Sequence, residues 1–322
     1  MSGPVATNDT MVSVVIPVYN EEATLPALFP RLYGALDALG RGYEIILVDD
    51  GSRDTSMEIL RAQAQHRPDR IRVVELSRNF GQHPAILAGF SIARGDVVVT
   101  LDADLQNPPE EIGKLVAKFD EGYDVVGGVR QDRQDTVFRR GASWLVNLVT
   151  VRITGIRMSD YGCMLRAYSR EVVDLMVKSE EHSTFIPALA QSIARHPTEV
   201  PVAHSERSAG ESKYSFYRLI RLNFDLMTGF SVVPLQLFTL FGFVTASGGL
   251  LFGVYLLVRR FILLRASEAD GVFTLFALAF LVMGVLMAGL GIVGEYIGRI
   301  YQEVRGRPRY LIRHVWGGDT AP

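Results

Sequence analysis

The 322-residue chain has a single cysteine, Cys163, so no disulfide can close within it and a secreted disulfide scaffold is excluded. Charge of neither sign dominates. There are 35 Asp and Glu against 33 Lys and Arg, for a formal net charge of −2, and no nucleic-acid partner is expected. Two phosphate-binding signatures are also missing. No G-x-G-x-x-G follows the first strand-like run, which disfavours a dinucleotide-binding dehydrogenase, and the absence of G-x-x-x-x-G-K-[ST] removes the P-loop hydrolases. The first twenty residues have no charged stretch followed by an apolar one, so the part that follows is expected to stay in the cytoplasm.

Long hydrophobic runs are not lacking. Pro234–Val258 and Gly271–Gly294 are uncharged over 25 and 24 residues. At about 1.5 Å per helical residue each covers roughly 36 Å, enough to cross a hydrocarbon core of about 30 Å with some tilt. Both are predicted as transmembrane helices, which excludes a plain soluble protein and a disordered chain. Residues 1–204 carry 27 acidic and 21 basic side chains, and residues 205–322 carry 8 and 12. The net charges of −6 and +4 suit water for the first part and anionic lipid headgroups for the second.

Two spans return the chain to the side it left. Arg218 and Arg221 before them, and Arg299, Arg305, Arg307, Arg309 and Arg313 after them, favour the cytoplasm for that side. Arg259, Arg260 and Arg265 in the connecting loop argue the other way, so the expectation rests on the larger count. Within Tyr214–Gly229, Phe216, Ile220, Phe224 and Met227 recur at helical spacing, with Arg218, Arg221 and Asp225 on another side. Such a helix can lie in the membrane interface or pack on the preceding domain. The expected organisation is a domain over 1–212, an amphipathic helix over 213–231, two spans within 232–294 (about 234–258 and 271–294) and a tail over 295–322.

In the first part, β-branched apolar runs recur at Val12–Ile16, Tyr43–Val48, Ile71–Leu76, Val97–Leu101, Asp124–Val129 and Met164–Tyr168. Helix-length stretches near Glu22–Leu39, Thr55–Gln65 and Gly81–Ala93 separate the first four. Alternation of this kind predicts an α/β domain with a mainly parallel sheet and helices on both faces. Ligands of such sheets bind beyond the carboxyl ends of the strands. The first four runs end in Pro17-Val18-Tyr19-Asn20-Glu21-Glu22, Asp49-Asp50-Gly51-Ser52, Ser77-Arg78-Asn79-Phe80-Gly81-Gln82 and Asp102-Ala103-Asp104-Leu105-Gln106. One polar strand end is an ordinary turn, whereas four deliver polar and acidic groups to one edge.

Asp102-Ala103-Asp104 carries the most chemistry. Two carboxylates two residues apart repel unless solvated or neutralised by a cation. Oxygen ligands favour Mg²⁺ or Mn²⁺, with Gln106 as an added neutral oxygen and open positions for substrate phosphates. For a bare D-x-D, a plain strand-end turn with Asp104 as helix cap is the commoner outcome. His83, His182 and His204 lack paired metal-ligand spacing and read as structural or surface residues; Cys163 reads as a packing residue.

The strings VSVVIPVYNEE, ILVDDGSRD, SRNFGQHPAILAGF and TLDADLQNPPEEI resemble the family-2 glycosyltransferases of the GT-A fold, in the branch that glycosylates polyisoprenyl phosphates. The likeness runs on through DVVGGVRQDRQD, SDYGCMLRAYSR, STFIPALA, ERSAGESKYSF and GEYIGRIYQEVRGRPRYL, over about residues 11–312. The resemblance implies a GT-A (Rossmann-like) domain followed by the interfacial helix and two transmembrane helices. It further implies a multi-pass protein of the bacterial inner membrane with the catalytic domain and C-terminus cytoplasmic, forming a homo-oligomer, often a tetramer. By resemblance the nucleotide lies on Pro17, Tyr19, Glu21 and Asp49, with Asp50, Arg78 and Asp102 as further candidates. Asp102, Asp104 and Gln106 hold Mg²⁺ or Mn²⁺, and Asp160 falls where the family puts its candidate base.

The implied activity is inverting transfer of one sugar, 4-deoxy-4-formamido-L-arabinose, from a UDP-sugar to undecaprenyl phosphate, a step in lipid A modification and polymyxin resistance. UDP-glucose, UDP-N-acetylglucosamine or GDP-mannose are alternative donors, and an inactive membrane scaffold is the non-enzymatic alternative. The Q-x-x-R-W string of processive relatives is absent, which fits a single transfer. A phosphate monoester, with a second pKa near 6, is already largely anionic at neutral pH, so the acceptor needs positive charge more than a base. Arg130, Arg207 and Lys213 are the candidates to grip it, with Asp160 orienting it or taking a residual proton.

Overall fold

The computed structural model describes residues 10–130, 158–179, 185–204, 231–258 and 268–317. Arg207, Lys213 and the amphipathic helix expected over 213–231 lie outside the described residues. The described elements fall into two units. One holds eight strands and six helices, the other two long helices.

In the first unit the strands are β1 (Val12–Val18), β2 (Tyr43–Asp49), β3 (Ile71–Leu76), β4 (Val97–Thr100), β5 (Val125–Arg130), β6 (Arg166–Ser169), β7 (Pro197–Val202) and β8 (Ile312–Trp316). The helices are α1 (Leu25–Asp37), α2 (Ser56–His66), α3 (Gln82–Ile92), α4 (Ile112–Asp120), α5 (Arg170–Lys178) and α6 (Ile186–Ile193). The strands form one sheet in the order β7-β5-β6-β4-β1-β2-β3-β8. Pairing is parallel for β1 with β2 and β4, for β2 with β3 and for β5 with β7. It is antiparallel where β6 meets β4 and β5, and where β8 meets β3.

The central strands are apolar on both faces because helices cover both. Val12, Val14, Ile16, Ile45 and Leu47 pack into one core with Leu25, Leu28 and Leu32 of α1 and Leu115 of α4. The alternate residues Val15, Ile46 and Val48 pack into the other with Ile86 and Phe90 of α3, Val173 of α5 and Leu189 of α6. This period of two is what a sheet buried on both sides requires. At Gly89 of α3 a Cβ would lie 2.3 Å from the Val15 side chain before any shift, so helix and sheet approach as closely as glycine permits.

Two strands escape the sequence pattern. Pro197 and Pro201 interrupt β7, and the sheet tolerates them because β7 is an edge strand bonded only to β5. β8 comes from the tail, whose polar Gly306-Arg307-Pro308-Arg309-Tyr310 run suggests docking on a neighbour. Instead the tail closes the β3 edge of its own chain. Arg313 pairs with Glu75 at 3.3 Å, the Arg61 guanidinium lies 4.3 Å over the Trp316 ring, and Arg309 Nη2 donates to the Val177 carbonyl at 2.8 Å. Deleting residues 307–322 is expected to lower the melting temperature by about 5 °C or more, because β3 is left with an open edge. An unchanged thermal unfolding curve in detergent would show that the strand adds nothing.

The second unit contains α7 (Val233–Val258) and α8 (Glu268–Val304), of 26 and 37 residues. Both are long and apolar enough to cross a membrane, and Phe243, Leu251, Phe280 and Leu290 are among the large apolar side chains they expose. The second apolar run was expected to end as a helix near Gly294, yet α8 continues to Val304. Charge stops a hydrophobic span without stopping a helix. Arg299 and Glu295 pair along it at 2.8 Å, and Gly306, at φ +59°, and Pro308 end it. Of the glycines at 242, 248, 249, 253, 284, 289 and 291, only Gly289 brings the helices together, against Phe238; the other six meet open space among the described residues.

Candidate active site

Strand directions decide which residues meet. The carboxyl ends of β1, β2, β3 and β4 share one edge, and β5, antiparallel to β6 as β6 is to β4, points the same way. The turn leading into β6 and the exit from β7 reach that edge too. Residues 17–22, 49–52, 77–82, 101–106, 130, 160–163 and 204 are thereby gathered on one rim of the first unit.

The first two loops are zipped together. Asn20, at φ +55°, donates its N–H to Ser52 Oγ (3.1 Å) and accepts from the Arg53 N–H (2.8 Å), while the Glu21 N–H donates to Ser56 Oγ (2.9 Å). Glu21 accepts from the Thr24 hydroxyl at the start of α1 (2.8 Å). Pro17, one residue before the end of β1, is half-buried, and Tyr19 just past that end is 43% exposed.

Asp49 and Asp50 are both buried, and their oxygens are used differently. Asp50 accepts from the N–H groups of Phe80 (2.7 Å) and Gly81 (2.8 Å), tying the β2 loop to the start of α3. Expected on the nucleotide, Asp50 gives both oxygens to this tie, so its influence there runs through the loop it shapes. Gly51, at φ +71°, allows the approach: a Cβ would sit 2.7 Å from the Arg78 main chain. Asp49 Oδ2 accepts from the Ser52 N–H at 3.3 Å, but its buried Oδ1 has no hydrogen-bond partner among the described residues. An orphaned carboxylate oxygen is costly unless a ligand N–H completes it. Burial pushes the Asp49 carboxyl above its ordinary value, more strongly than the Ser52 and Gly51 groups beside it lower it. Arg78 is exposed at the end of β3, with its guanidinium 4.7 Å over the Phe80 ring.

The D-x-D stands at the end of β4. Ala103 is buried between the two half-buried carboxylates, so both acids turn to the rim. Asp102 Oδ1 accepts from Gln82 Nε2 (2.7 Å), Asp104 Oδ1 accepts from the Gln106 N–H (3.1 Å), and Leu105 between them takes φ +62°. Burial first, and the Asp104 charge second, push the Asp102 carboxyl up from 3.8 to about 7; Arg130 opposes the rise and Glu21 adds to it. Among the described residues no third His, Cys, Asp or Glu completes a metal-ligating group. Two carboxylates and an amide oxygen therefore suit a hard cation that takes its remaining ligands from a substrate.

A carboxyl more easily protonated when folded stabilises the fold below its unfolded value near 3.8 and loses that contribution as pH rises through about 7. With chelator present, the melting temperature is therefore expected to fall between pH 5 and 7.5, and Mn²⁺ with UDP to remove the fall. A flat profile without metal would contradict the crowding of Asp102.

Asp160 is 2% exposed and grips Arg130, with Arg130 Nε to Oδ2 at 2.6 Å and Nη2 to Oδ1 at 2.7 Å. Both were expected at the acceptor phosphate, Arg130 to grip it and Asp160 to orient it or take a residual proton, and the structure joins them in one bidentate pair. His204, expected to be a structural or surface residue, is exposed and lies on the same rim. Its ring lies near the Gln106 main chain, and partial burial first and the Arg130 charge second push its pKa down. No spacing rule flags it, because it meets Gln106 across the sheet. Cys163 is buried with its thiol pushed up to about 11 by burial, which leaves a neutral packing residue.

The profile of the family described as "Glycosyl transferase family 2" matches residues 13–175, which contain the rim from Pro17 to Gly162. The chain belongs to glycosyl transferase family 2. The match covers β1 through most of α5, so this family-2 enzyme carries its D-x-D inside the shared domain. A protein of Shewanella sediminis named undecaprenyl-phosphate 4-deoxy-4-formamido-L-arabinose transferase is 53% identical over 313 residues, 97% of this chain and 95% of that one. A Salmonella typhimurium protein of the same name is 53% identical over 311 residues, with the same coverage. Among solved structures, glucosyl-3-phosphoglycerate synthase from Mycobacterium tuberculosis is similar at 17% identity and a TM-score of 0.48, covering 68% of this chain and 77% of that one.

Proposed function

We propose that this glycosyltransferase moves one sugar, 4-deoxy-4-formamido-L-arabinose, from its UDP donor to undecaprenyl phosphate at the cytoplasmic face of the bacterial inner membrane. The observation that carries this is the rim itself: an orphaned acceptor at Asp49, a crowded carboxylate pair at Asp102 and Asp104, and the Asp160-held Arg130, all on one sheet edge. The order matches the parts of the reaction, with base recognition at one end, diphosphate in the middle and anionic acceptor at the other. The 53% identity extends through the helices of the second unit and supports a lipid-borne acceptor and this sugar.

Asp49 Oδ1 would accept the imide N–H of uracil, and Tyr19 and Pro17 would flank the base. Asp102, Asp104 and Gln106 would hold Mg²⁺ or Mn²⁺, whose chemistry is to stabilise the negative charge that builds on the departing nucleoside diphosphate. Gln82 fixes the Asp102 carboxylate in place, and the Gln106 N–H does the same for Asp104. Arg130, with Arg207 and Lys213 from the segment before α7, would hold the acceptor phosphate beside a diphosphate that repels it.

Return of the chain to β8 after α7 and α8 supports two crossings, since the tail strand shares a sheet with the domain that precedes the helices. Gly242, Gly248, Gly249, Gly253, Gly284 and Gly291, which meet open space among the described residues, are where copies would pack in a homo-oligomer.

The test is transfer to a polyprenyl phosphate with UDP-4-deoxy-4-formamido-L-arabinose, UDP-glucose, UDP-N-acetylglucosamine and GDP-mannose in turn. Turnover with the first donor alone is expected; turnover only with another would replace the sugar, and turnover with none would remove the reaction. Asp49→Ala is expected to weaken UDP binding roughly tenfold or more, as loss of a hydrogen bond to a charged group does. Unchanged affinity in calorimetry would place the base elsewhere.

A further inference from the structure

The acidic residue nearest the acceptor side of the rim is held in a way that does not suit a base. Asp160 Oδ2 accepts from Arg130 Nε at 2.6 Å and from the Arg130 main-chain N–H at 3.4 Å. Its Oδ1 accepts from Arg130 Nη2 at 2.7 Å and from the Gly162 N–H at 3.0 Å. Both oxygens are engaged, and to take a proton the carboxylate would have to give up a charge-assisted bond. The guanidinium lies so close to the turn that a Cβ on Gly162 would stand 2.6 Å from its Nη2.

Behind this pair stands a second arginine. Arg166, 1% exposed at the start of β6, donates from Nη2 to the Asp160 carbonyl (2.7 Å) and from Nε to the Cys163 carbonyl (2.9 Å). It fastens both ends of the turn that carries Asp160. Room for it comes from its β5 partner Gly127, where a Cβ would lie 2.7 Å from Arg166 Nη1. A chain of contacts thus runs from β6 through the turn to the Asp160 carboxylate and on to Arg130. The Arg130 charge in turn reaches the other side of the rim, where it opposes the rise at Asp102.

We propose that Asp160 is a positioning residue: backed by Arg166, it sets the Arg130 guanidinium for an incoming phosphate dianion and takes no proton during transfer. The inference rests on the polyprenyl-phosphate reading above. The acceptor oxygen is already ionised, so its lone pair forms the new bond to the sugar carbon, the bond to the diphosphate breaks, and no proton moves.

A double-mutant cycle tests this, with transfer from the UDP-sugar to undecaprenyl phosphate as readout. Asp160→Asn alone is expected to raise the apparent KM for the lipid about tenfold and to change kcat less than about threefold. In an Arg130→Ala background, adding Asp160→Asn is expected to change kcat/KM by less than about twofold, since a residue that acts through another costs nothing once that other is gone. A further loss of about tenfold or more in that background, or a collapse of kcat at unchanged KM in the single variant, would overturn the proposal. If transfer by Arg130→Ala falls below detection, Arg130→Lys takes its place in the cycle.

Arg166→Lys keeps the charge but loses the fork. It is expected to raise the same KM and to be non-additive with Arg130→Ala; additive losses would remove Arg166 from the chain. Binding of UDP with Mn²⁺ within about twofold of wild type reports folding of each variant, and should Asp160→Asn alone fail it, the Arg130→Ala pair with and without Asp160→Asn carries the comparison. Transfer to undecaprenyl phosphate by the unmodified enzyme tests the functional reading separately: if wild type transfers and the cycle is additive, only the role of Asp160 is wrong.

Discussion

Asp102→Asn and Asp104→Asn are each expected to lower kcat for sugar transfer by roughly 10³-fold, about 4 kcal/mol of transition-state stabilisation. The side chains keep their shape and lose the charge, so the β4 loop should persist while its hold on a cation goes. Asp102 Oδ1 accepts from Gln82 and Asp104 Oδ1 from the Gln106 N–H, contacts that an asparagine oxygen can still make. Removal of either charge also ends the repulsion that, with burial, pushes Asp102 to about 7. The metal-free variants should therefore be no less stable than wild type near neutral pH. Loss of transfer with an unchanged or raised melting temperature is the expected pair of results. Near-normal turnover in either variant would show that the carboxylates do not serve the leaving group. Asp50→Asn should behave differently, since the Asp50 oxygens tie down Phe80 and Gly81 and its loss would show first in stability.

The largest effect on stability is expected at the opposite edge of the sheet, from Glu44→Ala. Glu44 on β2 is 4% exposed and accepts from Arg72 of β3, from the Ser13 hydroxyl of β1 and from the Arg94 N–H (2.6 Å) ahead of β4. Ser13 Oγ in turn accepts from the Gly95 N–H at 2.8 Å. One carboxylate thus joins four neighbouring strands where they begin. Its removal leaves Arg72, 7% exposed, as an uncompensated buried charge, at a cost of about 3–5 kcal/mol. Thermal unfolding of Glu44→Ala should show a melting temperature lower by roughly 10 °C. Glu44→Ala together with Arg72→Met, which removes both charges, should recover much of the loss. A double variant as unstable as the single one would assign the effect to Ser13 and Arg94 instead.

Much of the sheet was legible because it is buried on both faces. β1 to β4 have to be continuous and β-branched when helices cover both sides, and that pattern survives in the primary sequence. β7 was hidden by Pro197 and Pro201, which only an edge strand tolerates, and β8 by its position after two apolar helices, where charge suggests a loose tail. The length of α8 was missed for a related reason: hydropathy marks where the apolar run stops, while backbone hydrogen bonding carries the helix on to Val304.

In the site, strand ends revealed Asp49, Asp50, Asp102 and Asp104, because a parallel sheet places successive carboxyl ends side by side. Their division of labour was not legible. That Asp50 spends both oxygens on the start of α3 while Asp49 keeps one bare depends on which way two adjacent side chains turn. The union of Arg130 with Asp160, and the arrival of His204 beside Gln106, arise from β5, β6 and β7 being brought together across long stretches of chain. No local spacing records such meetings.

Calorimetric titration of UDP into the purified protein, with Mn²⁺ and again with EDTA, tests the assignment of the rim most directly. Binding with Mn²⁺ that is lost with EDTA, and equally lost in Asp102→Asn, is the predicted result. UDP affinity indifferent to both chelator and substitution would contradict it.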